Sequence, residues 1–474
     1  MLFFIFTLFS LFTTSYSQQI GNVKKNDVLS LPMTEMGKVI QTGTVIDANW
    51  RWIHDVNGYT NCYDNNWNKQ YCSDPITCSK NCALEGVDQN DYKNIYGVTT
   101  NGNSLQLNYV TNSNVGSRMY LLDEGYNQYK MFNLINKQFV MDVDVSKLPC
   151  GLNGAVYFVE MLSKGINSNV KYGLGYGDAQ CPTDIKYING FVNTNNTGTC
   201  SIEMDIWEAN SMATQIAPHS CNIRGVFPCT NDKDCGRGDF RYQGVCDKDG
   251  SSYNPYREGR TNFYGPGSNY QVDTTKPFTV ITQFFSSNGR DDGDLVGMKQ
   301  LYRQNGKLIE GGTLTDEITK QIKEKYSETN HFQQLGGFKK MGESFKRGMV
   351  LVMSLWDDTA VNMLWLDSTY PKGSTSPGAK RGPCPDNRQG VDWIRRTYPD
   401  SRVVYSNIKV ESIDPKPPSP SPSPSPTPTP TPVPTPTPNP KPPTPTPTPP
   451  TPTPFPIPNC DYKIKCSECI IEVD

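Results

Sequence analysis

The stretch Glu203-Met204-Asp205-Ile206-Trp207-Glu208 interleaves three carboxylates with large apolar side chains. Such alternation is typical of a β-strand, whose successive side chains point to opposite faces. This period places Glu203, Asp205 and Trp207 on one face of a straight strand. Glu208 has the opposite parity and would lie roughly 16 Å from Glu203, at about 3.3 Å per residue. It joins the acidic face only if the strand bends or carries a β-bulge, a feature that is frequent beside active sites.

Carboxylates that share a strand face suggest acid–base chemistry. Two carboxyl groups about 5–5.5 Å apart are what a retaining glycoside hydrolase uses, one as nucleophile and the other as acid/base. Asp205 would lie beside Glu203 and share a hydrogen bond or a proton with it, so that the two groups titrate together. Spacing alone is equally compatible with a solvated strand face that bears alternating acids. The tryptophan inside the run, and the sugar-binding residue types found elsewhere, favour the catalytic hypothesis.

Other segments extend the β pattern along the chain. Residues 139–145 and 278–284 alternate apolar and polar positions, and residues 349–353 form a continuous apolar run typical of a strand buried on both faces. Only residues 315–330 have a clear helical pattern, with acids first, lysines later and apolar residues at a spacing of four. Many strands with one or two short helices predict an all-β fold, a sandwich of two antiparallel sheets.

The ends of the chain differ from this central part. Residues 1–17 form an apolar run that ends in small residues, which predicts a cleaved secretory signal peptide. An uncleaved membrane anchor is the alternative, but no second apolar stretch approaches 18 residues, so we expect a soluble, extracellular protein without a membrane partner. Residues 18–414 then form one globular domain. Residues 415–458 are a Ser/Thr-Pro repeat that predicts an extended linker, and residues 459–474 form a short cysteine-containing tail of unknown role.

Cysteine content and charge narrow the class of protein further. The chain has 15 cysteines, which fit an oxidising compartment. Twelve of them lie between Cys62 and Cys384 and allow six disulfides. Because none of the cysteines has the spacing of a zinc site, we expect no structural metal, and we expect no cofactor. A formal net charge of −2 with dispersed lysines and arginines argues against a nucleic-acid partner. The sequon at Asn195 predicts an N-glycan on a surface loop.

Tryptophans supply candidate sugar-stacking surfaces. Trp50 and Trp52 are two residues apart, so a strand would place both on one face with Arg51 between them. Trp356 and Trp365 are flanked by acids. Each tryptophan taken alone is as compatible with core packing. Together they favour a row of platforms along a cleft.

Several long motifs make the chain resemble glycoside hydrolase family 7, a family of cellulases, and within it the reducing-end cellobiohydrolases. The resemblance runs from about residue 43 to residue 413 and includes the acidic run 203–210 and the segments 349–358 and 363–371. Its other anchors are Val45-Ile46-Asp47-Ala48-Asn49-Trp50-Arg51-Trp52, Tyr96-Gly97-Val98-Thr99-Thr100, Leu148-Pro149-Cys150-Gly151-Leu152-Asn153-Gly154-Ala155 and Asn254-Pro255-Tyr256-Arg257.

The resemblance implies a β-jelly-roll sandwich whose concave sheet carries a cellulose-binding groove, roofed by loops into a partial tunnel. It implies that Glu203 is the nucleophile, Asp205 its assisting carboxylate and Glu208 the acid/base. It implies cellulose as the partner and a monomeric enzyme that acts on chain ends. The residues that match the substrate-binding positions of the family, from the tunnel entrance to the product side, are Trp52, Trp50, Arg118, Tyr157, Asp178, Gln180, Lys186, His219, Trp356, Trp365, Arg241, Asp249 and Arg381.

Departures from the family pattern leave the mode of action open. The segment 190–200 is shorter than in fungal cellobiohydrolases, whereas the segment 235–246 keeps most of a loop that the endoglucanase relatives lack. A more open endo-acting β-glucanase is therefore an alternative, and a non-catalytic lectin-like jelly roll is another. The cysteines that remain match family disulfides, which implies the pairs 62–82, 72–78, 150–384, 181–200, 221–246 and 229–235.

Overall fold

The computed structural model describes residues 19–165, 170–188 and 190–413. The expectations for the signal peptide, the linker and the tail therefore lie outside the described residues. Two large sheets dominate the described part, and each is antiparallel along its main path. No helix among these residues is long and apolar enough to cross a membrane.

The first large sheet, the nine-stranded sheet, forms one layer of the sandwich. The chain contributes neighbouring strands from distant parts of the sequence, so the order in the sheet is not the order in the sequence. Along its path the strands are Val98–Asn101, Ser104–Asn108, Arg402–Ser412, Lys137–Asp144, Phe278–Ser286, Leu295–Gln304 and Lys307–Thr315. Met33–Glu35 pairs with Arg402–Ser412, and Lys38–Ile40 pairs with Met33–Glu35.

The second large sheet, the cleft sheet, has eight strands and carries the candidate site. Its strands in order are Leu29–Ser30, Gly43–Ile46, Ser117–Leu122, Met349–Asp357, Leu152–Val159, Glu203–Ala209 and Thr214–His219, with Met131–Phe132 beside Met349–Asp357. Short pairings complete the strand inventory of the described residues: Gln19–Ile20, Cys82–Leu84 and Ile53–Asp55 in a three-stranded sheet, and the pairs Tyr63–Asp64 with Asn66–Trp67, Val110–Thr111 with Asn114–Val115, Tyr187–Ile188 with Phe191–Val192, Gly198–Cys200 with Phe227–Cys229, and Tyr264–Gly265 with Val272–Asp273.

The alternation predicted from the sequence is confirmed in the nine-stranded sheet, and the continuous apolar run in the cleft sheet. Phe139, Met141 and Val143 point into the main core, as do Phe278 and Val280 on the neighbouring strand. The strand Met349–Asp357 is buried on both faces over residues 349–355. Its odd-numbered residues join the main core, while Val350 and Val352 join a second apolar cluster on the opposite face of the cleft sheet. A central strand with two covered faces has no need of alternation, which explains its continuous apolar run.

The helices are more numerous than the sequence predicts. The predicted helix 315–330 is shorter in the structure. Asp316–Lys325 begins after Thr315, whose hydroxyl accepts from the Ile318 N–H, and Ser327 just beyond its end has a left-handed φ of 55°. A separate short helix follows at His331–Gln334. The helix Gly337–Arg347 was not predicted, although Phe338, Met341 and Phe345 recur at helical spacing and are buried. The remaining short helices are Pro75–Asn81, Gln89–Asn94, Leu364–Asp367 and Val391–Thr397, with 3-10 turns at Ala48–Trp50, Val170–Tyr172 and Gly238–Phe240.

Six disulfides join the twelve cysteines between Cys62 and Cys384. All six pairs expected from the family resemblance are present: 62–82, 72–78, 150–384, 181–200, 221–246 and 229–235. Most of them fasten loops around the cleft sheet. The pair Cys181–Cys200 secures the segment that precedes the acidic strand, and Cys221–Cys246 secures the segment that follows its neighbour.

Candidate active site

The acidic strand, Glu203–Ala209, lies next to the last strand of the cleft sheet and carries a β-bulge. Its pairing with Leu152–Val159 shifts register between Tyr157 and Val156, and its pairing with Thr214–His219 shifts between Asp205 and Glu208. The extra residue reverses the parity of everything after it. Glu203, Asp205 and Glu208 consequently all line the cleft, as the sequence required of a bulged strand.

The same bulge overturns the expectation for Trp207. The sequence placed Trp207 on the acidic face, but its ring is fully buried in the main core, edge-on to Phe278 and Tyr405. The tryptophan that favoured a sugar-binding interpretation is therefore a packing residue. The period-two rule failed here because it assumes a strand without an inserted residue.

The cleft has a volume of about 1110 Å³ and gathers most of the predicted binding residues. Trp50, Arg118, Tyr157, Asp178, Gln180, His219, Arg241, Asp249, Trp356, Trp365 and Arg381 all line it. Lys186 lies instead in a smaller neighbouring cavity, where its ammonium donates to the Asn49 carbonyl at 2.5 Å, and burial lowers its pKa to about 8. Trp52 does not line the cleft.

Trp50 and Trp52 are not on a strand, which corrects a second expectation. Trp50 ends the 3-10 turn Ala48–Trp50, and the strand Ile53–Asp55 begins only after Trp52. Arg51 between them is buried rather than facing a cleft, and its guanidinium donates to the backbone carbonyls of Ile46 and Lys171. The tight turn, rather than strand parity, directs Trp50 into the cleft.

The carboxyl groups of Glu208 and Glu203 are each held by specific donors. Glu208 accepts hydrogen bonds from the amides of Asn153 at 2.9 Å and Gln215 at 2.8 Å. Glu203 accepts one from the backbone N–H of Ala179 at 3.1 Å. Asn153 and Gln215 were not predicted from the sequence, because only the register of three adjacent strands brings them to Glu208.

His219 links the cluster to the loop that follows it. Its Nε2 lies 3.2 Å from the Asp205 carboxylate, and its Nδ1 donates to the Asp247 carbonyl at 2.8 Å. Ligand atoms of Glu203, Asp205 and His219 all lie within 4.8 Å of one another, so the three side chains form one compact cluster. Because a carbonyl oxygen only accepts, Nδ1 carries the hydrogen of this contact, and Nε2 is the nitrogen that faces the acids.

Burial controls the protonation of the acidic strand. All three carboxyl groups are less than a tenth exposed, and burial raises the pKa of Glu203, Asp205 and Glu208. Mutual repulsion adds to this effect, since Asp205 raises the pKa of Glu203 and Glu208 raises that of Asp205. The cluster therefore keeps at least one proton at pH values where exposed carboxyl groups have lost theirs. One protonated acid beside one carboxylate is the state that acid–base catalysis needs.

Aromatic and charged groups extend away from the carboxylates in both directions. On one side, the Arg118 guanidinium lies 3.4 Å from the Tyr176 ring centre and is paired with Asp47, while Tyr176 donates to Asp178 at 2.7 Å. On the other side, Arg241 is paired with Asp249, which also accepts from the Tyr242 hydroxyl at 2.8 Å.

A tryptophan pair and a second arginine lie in the same cleft. The rings of Trp356 and Trp365 are 6.1 Å apart, and the Trp365 indole N–H donates to Asp358 at 3.0 Å. Arg381 lies near Arg257. Burial, followed by repulsion from Arg257, lowers the pKa of Arg381 to about 10. A cleft that alternates flat aromatic faces with charged donors and acceptors suits a polyhydroxylated chain.

A two-sheet sandwich with a long cleft over a carboxylate cluster is the architecture of a carbohydrate-cleaving hydrolase. The profile described as Glycosyl hydrolase family 7 matches residues 32–416. Exoglucanase GH7B of Limnoria quadripunctata is 42% identical over 445 residues, which cover 86% of this chain and 98% of that protein. The chain belongs to glycosyl hydrolase family 7.

Solved structures agree with this assignment. A family 7 cellobiohydrolase from Daphnia pulex superposes with a TM-score of 0.81 at 39% identity, covering 84% of this chain and 99% of that one. The endocellulase EGI of Humicola insolens superposes with a TM-score of 0.72 at 35% identity and the same coverage. The expected jelly-roll sandwich is thus confirmed, and the similarity extends to both exo- and endo-acting relatives.

Proposed function

We propose that this protein is a retaining cellulase that hydrolyses β-1,4-glucosidic bonds and releases cellobiose from the reducing ends of cellulose chains. The observation that carries the proposal is the bulged acidic strand, which turns three buried carboxyl groups toward one cleft. Similarity to an exoglucanase and to a cellobiohydrolase supports the substrate and the product.

The mechanism assigns one task to each acid. Glu203 attacks the anomeric carbon while protonated Glu208 donates its proton to the departing glycosidic oxygen, forming a covalent glycosyl-enzyme. Glu208 then takes a proton from water, which releases the sugar with retained configuration. The amides of Asn153 and Gln215 orient the Glu208 carboxyl. Asp205, whose carboxylate lies 3.2 Å from His219 Nε2, adjusts the charge beside Glu203.

The binding groups divide between the two sides of the reacting bond. We assign Trp50, Arg118, Tyr157, Asp178 and Gln180 to the glycone side, and Trp365, Arg241, Asp249 and Arg381 to the departing cellobiose. Trp52 and Lys186 keep their family roles in this proposal, with Trp52 at the entrance, although neither lines the cleft.

An endo-acting β-1,4-glucanase is the second candidate. The short segment 190–200 trims one roofing loop, and the similarity to an endocellulase is nearly as extensive as that to the cellobiohydrolase. A lectin-like role fits less well, because a binding module has no need of three buried acids with raised pKa values. The paired-acid site therefore favours catalysis over simple binding.

The sequence supports further proposals about the whole protein. The apolar residues 1–17 favour secretion, and six disulfides suit an oxidising compartment. We propose a catalytic domain over 18–414, a Pro-rich linker over 415–458 and a short tail over 459–474, with an N-glycan at Asn195. We also propose that the enzyme works as a monomer, without a metal, cofactor, nucleic-acid or membrane partner.

The products of cellulose hydrolysis test the proposal. We expect cellobiose to dominate the products from cellulose. It should appear first as the β-anomer in NMR spectra taken before mutarotation. The viscosity of a soluble cellulose derivative should fall little during hydrolysis. Release of the α-anomer would contradict the retaining mechanism. A steep early fall in viscosity would favour the endo-acting candidate instead. The Glu203→Gln variant is the inactive control, and Glu124→Gln, at an exposed site, is its matched substitution.

A further inference from the structure

Tyr59 is an aromatic side chain that the proposed mechanism leaves unused. It lies in the 56–61 loop and is 73% exposed, the highest value among the exposed large apolar side chains of the described residues. An aromatic ring held open to water gains nothing from the core. A ring of this kind often marks a contact surface.

Tyr59 is not an isolated ring. Its plane is within 16° of the Trp52 indole plane, with the ring centres 6.1 Å apart. Trp52 stacks in turn on the His54 imidazole at 4.1 Å. The Trp52 indole N–H donates to the Asn61 side chain at 2.8 Å, which fixes the rotation of the indole. The three rings therefore form one contiguous aromatic stack in which Tyr59 is offset from Trp52, and Tyr59 is its most exposed member.

The base of this stack is rigid. His54 is only 3% exposed, and its Nδ1 contacts the carbonyls of Asp55 at 2.8 Å and Gly58 at 2.9 Å. Its Nε2 lies 2.9 Å from the fully buried Glu85 carboxylate. Glu85 also accepts hydrogen bonds from the backbone N–H groups of Val23, Lys24 and Gly86. The imidazole below Trp52 is thus held on both edges.

The loop that carries Tyr59 is held just as firmly. The Asp55 carboxylate accepts from the N–H groups of Asn57 at 3.2 Å and Thr60 at 2.8 Å, and the Asp55 N–H donates to the Thr60 carbonyl. Gly58, the residue before Tyr59, is held by His54. Both backbone neighbours of Tyr59 are therefore fixed, so little conformational entropy remains to be lost when a ligand covers its ring.

We infer that Tyr59 widens the entrance position of Trp52 into a two-ring platform that receives a β-1,4-glucan chain before it enters the cleft. The inference rests on the proposed function, which supplies the glucan and the entrance role of Trp52; the role of Tyr59 is the new element. Trp50 lines the cleft, and the Cα atom of Trp52, two residues on, lies within about 7 Å of that of Trp50, so the platform borders the cleft. The apolar C–H face of a pyranose ring covers an exposed aromatic face, and the rigid stack presents such a face ready for binding.

Adsorption to crystalline cellulose tests the platform. All variants are made in the full chain with Glu203→Gln, so that binding is measured without hydrolysis. By analogy with base–aromatic stacking, Tyr59→Ala should weaken the adsorption constant about fivefold or more, and Trp52→Ala should weaken it similarly. Tyr59→Phe keeps the ring face and should bind within about twofold of its parent. Leu308→Ala, an apolar truncation at a 59% exposed site on the nine-stranded sheet, is the matched control.

The same substitutions in the active chain give a second readout. Turnover of a soluble cellobioside, which is too short to reach beyond the cleft, should not change in Tyr59→Ala. Adsorption of Tyr59→Ala equal to that of its parent, or a loss in Tyr59→Phe as large as in Tyr59→Ala, would overturn the platform. If the parent itself cleaves neither cellulose nor the cellobioside, the proposed function fails and not merely the platform.

Discussion

Glu203, Asp205 and Glu208 are single residues whose chemistry depends on their surroundings. Each is nearly buried, yet each faces the cleft, so water stabilises its charge poorly. From the sequence one could predict that the three acids share one face of a bulged strand. Their protonation could not be predicted, because it depends on burial and on Asn153, Gln215 and other groups that come from other strands.

The pH dependence of the reaction follows from these shifts. Burial raises the pKa of Glu208, so the acid keeps its proton above the usual range, and rate is lost only as pH rises through that raised pKa. Burial and repulsion from Asp205 raise the pKa of Glu203 as well, so rate is also lost as pH falls through that raised pKa, because the nucleophile must be ionised. The two acids titrate together, and the reactive form carries its proton on Glu208. We expect a bell-shaped profile on the acidic side of neutrality, measured as initial rates of cellobiose release.

A variant separates the two limbs of this profile. Glu208→Ala should still cleave an aryl cellobioside whose leaving group needs no proton, and the first, glycosylation step should no longer slow at high pH. Burst-phase measurement of aryl release reports that step alone. An alkaline limb that persists in Glu208→Ala would mean that another group supplies the proton.

The acidic strand shows what a single element adds. Its alternation, and the requirement for a bulge, could be predicted from the residues, but the position of the bulge could not. The bulge depends on pairing with Leu152–Val159 and Thr214–His219, which are distant in the sequence. The helix Gly337–Arg347 was missed for a different reason, because glycines at its ends and at Gly342 obscured a helical apolar pattern.

Two tryptophans test the division between core and cleft residues. Trp207→Ala should lower the free energy of unfolding by about 3–5 kcal/mol, since it removes a fully buried ring from the main core. Trp365→Ala should cost much less stability, because Trp365 is only half-buried in the cleft. It should instead slow turnover of a soluble cellobioside. Chemical denaturation and initial rates measure the two effects, and equal losses of stability would contradict the assignment.

At the scale of the whole molecule, the fold class was predictable because strands of the nine-stranded sheet follow simple alternation and a central strand of the cleft sheet is a continuous apolar run. The order of strands within each sheet was not, since neighbours such as Lys137–Asp144 and Arg402–Ser412 are far apart in the sequence. The disulfide Cys150–Cys384 joins two such distant parts, with a sequence separation of 234. It is anchored just before a central strand of the cleft sheet, Leu152–Val159.

This long-range disulfide should contribute more stability than a local one. By the chain-entropy argument, replacing Cys150 and Cys384 with serine should lower the free energy of unfolding by about 5 kcal/mol. The same change at Cys72 and Cys78, separated by only 6 residues, should cost about 2 kcal/mol. Denaturant titration of the two double variants measures the difference. Equal costs would show that the unfolded chain gains little freedom when the longer link is removed.

The β-bulge of the acidic strand also limits how this gene segment can evolve. Within six codons, residues 203, 205 and 208 serve the cleft, whereas residues 204, 206 and 207 serve the core. A substitution affects one of these two sets. Loss of a single codon between 205 and 208 would remove the extra residue of the bulge, so the second glutamate would still face the cleft but would lie about 3.3 Å nearer to Glu203 along the strand. The number of codons in this segment therefore sets the distance between the two glutamates, whereas substitutions of the core residues leave that distance unchanged.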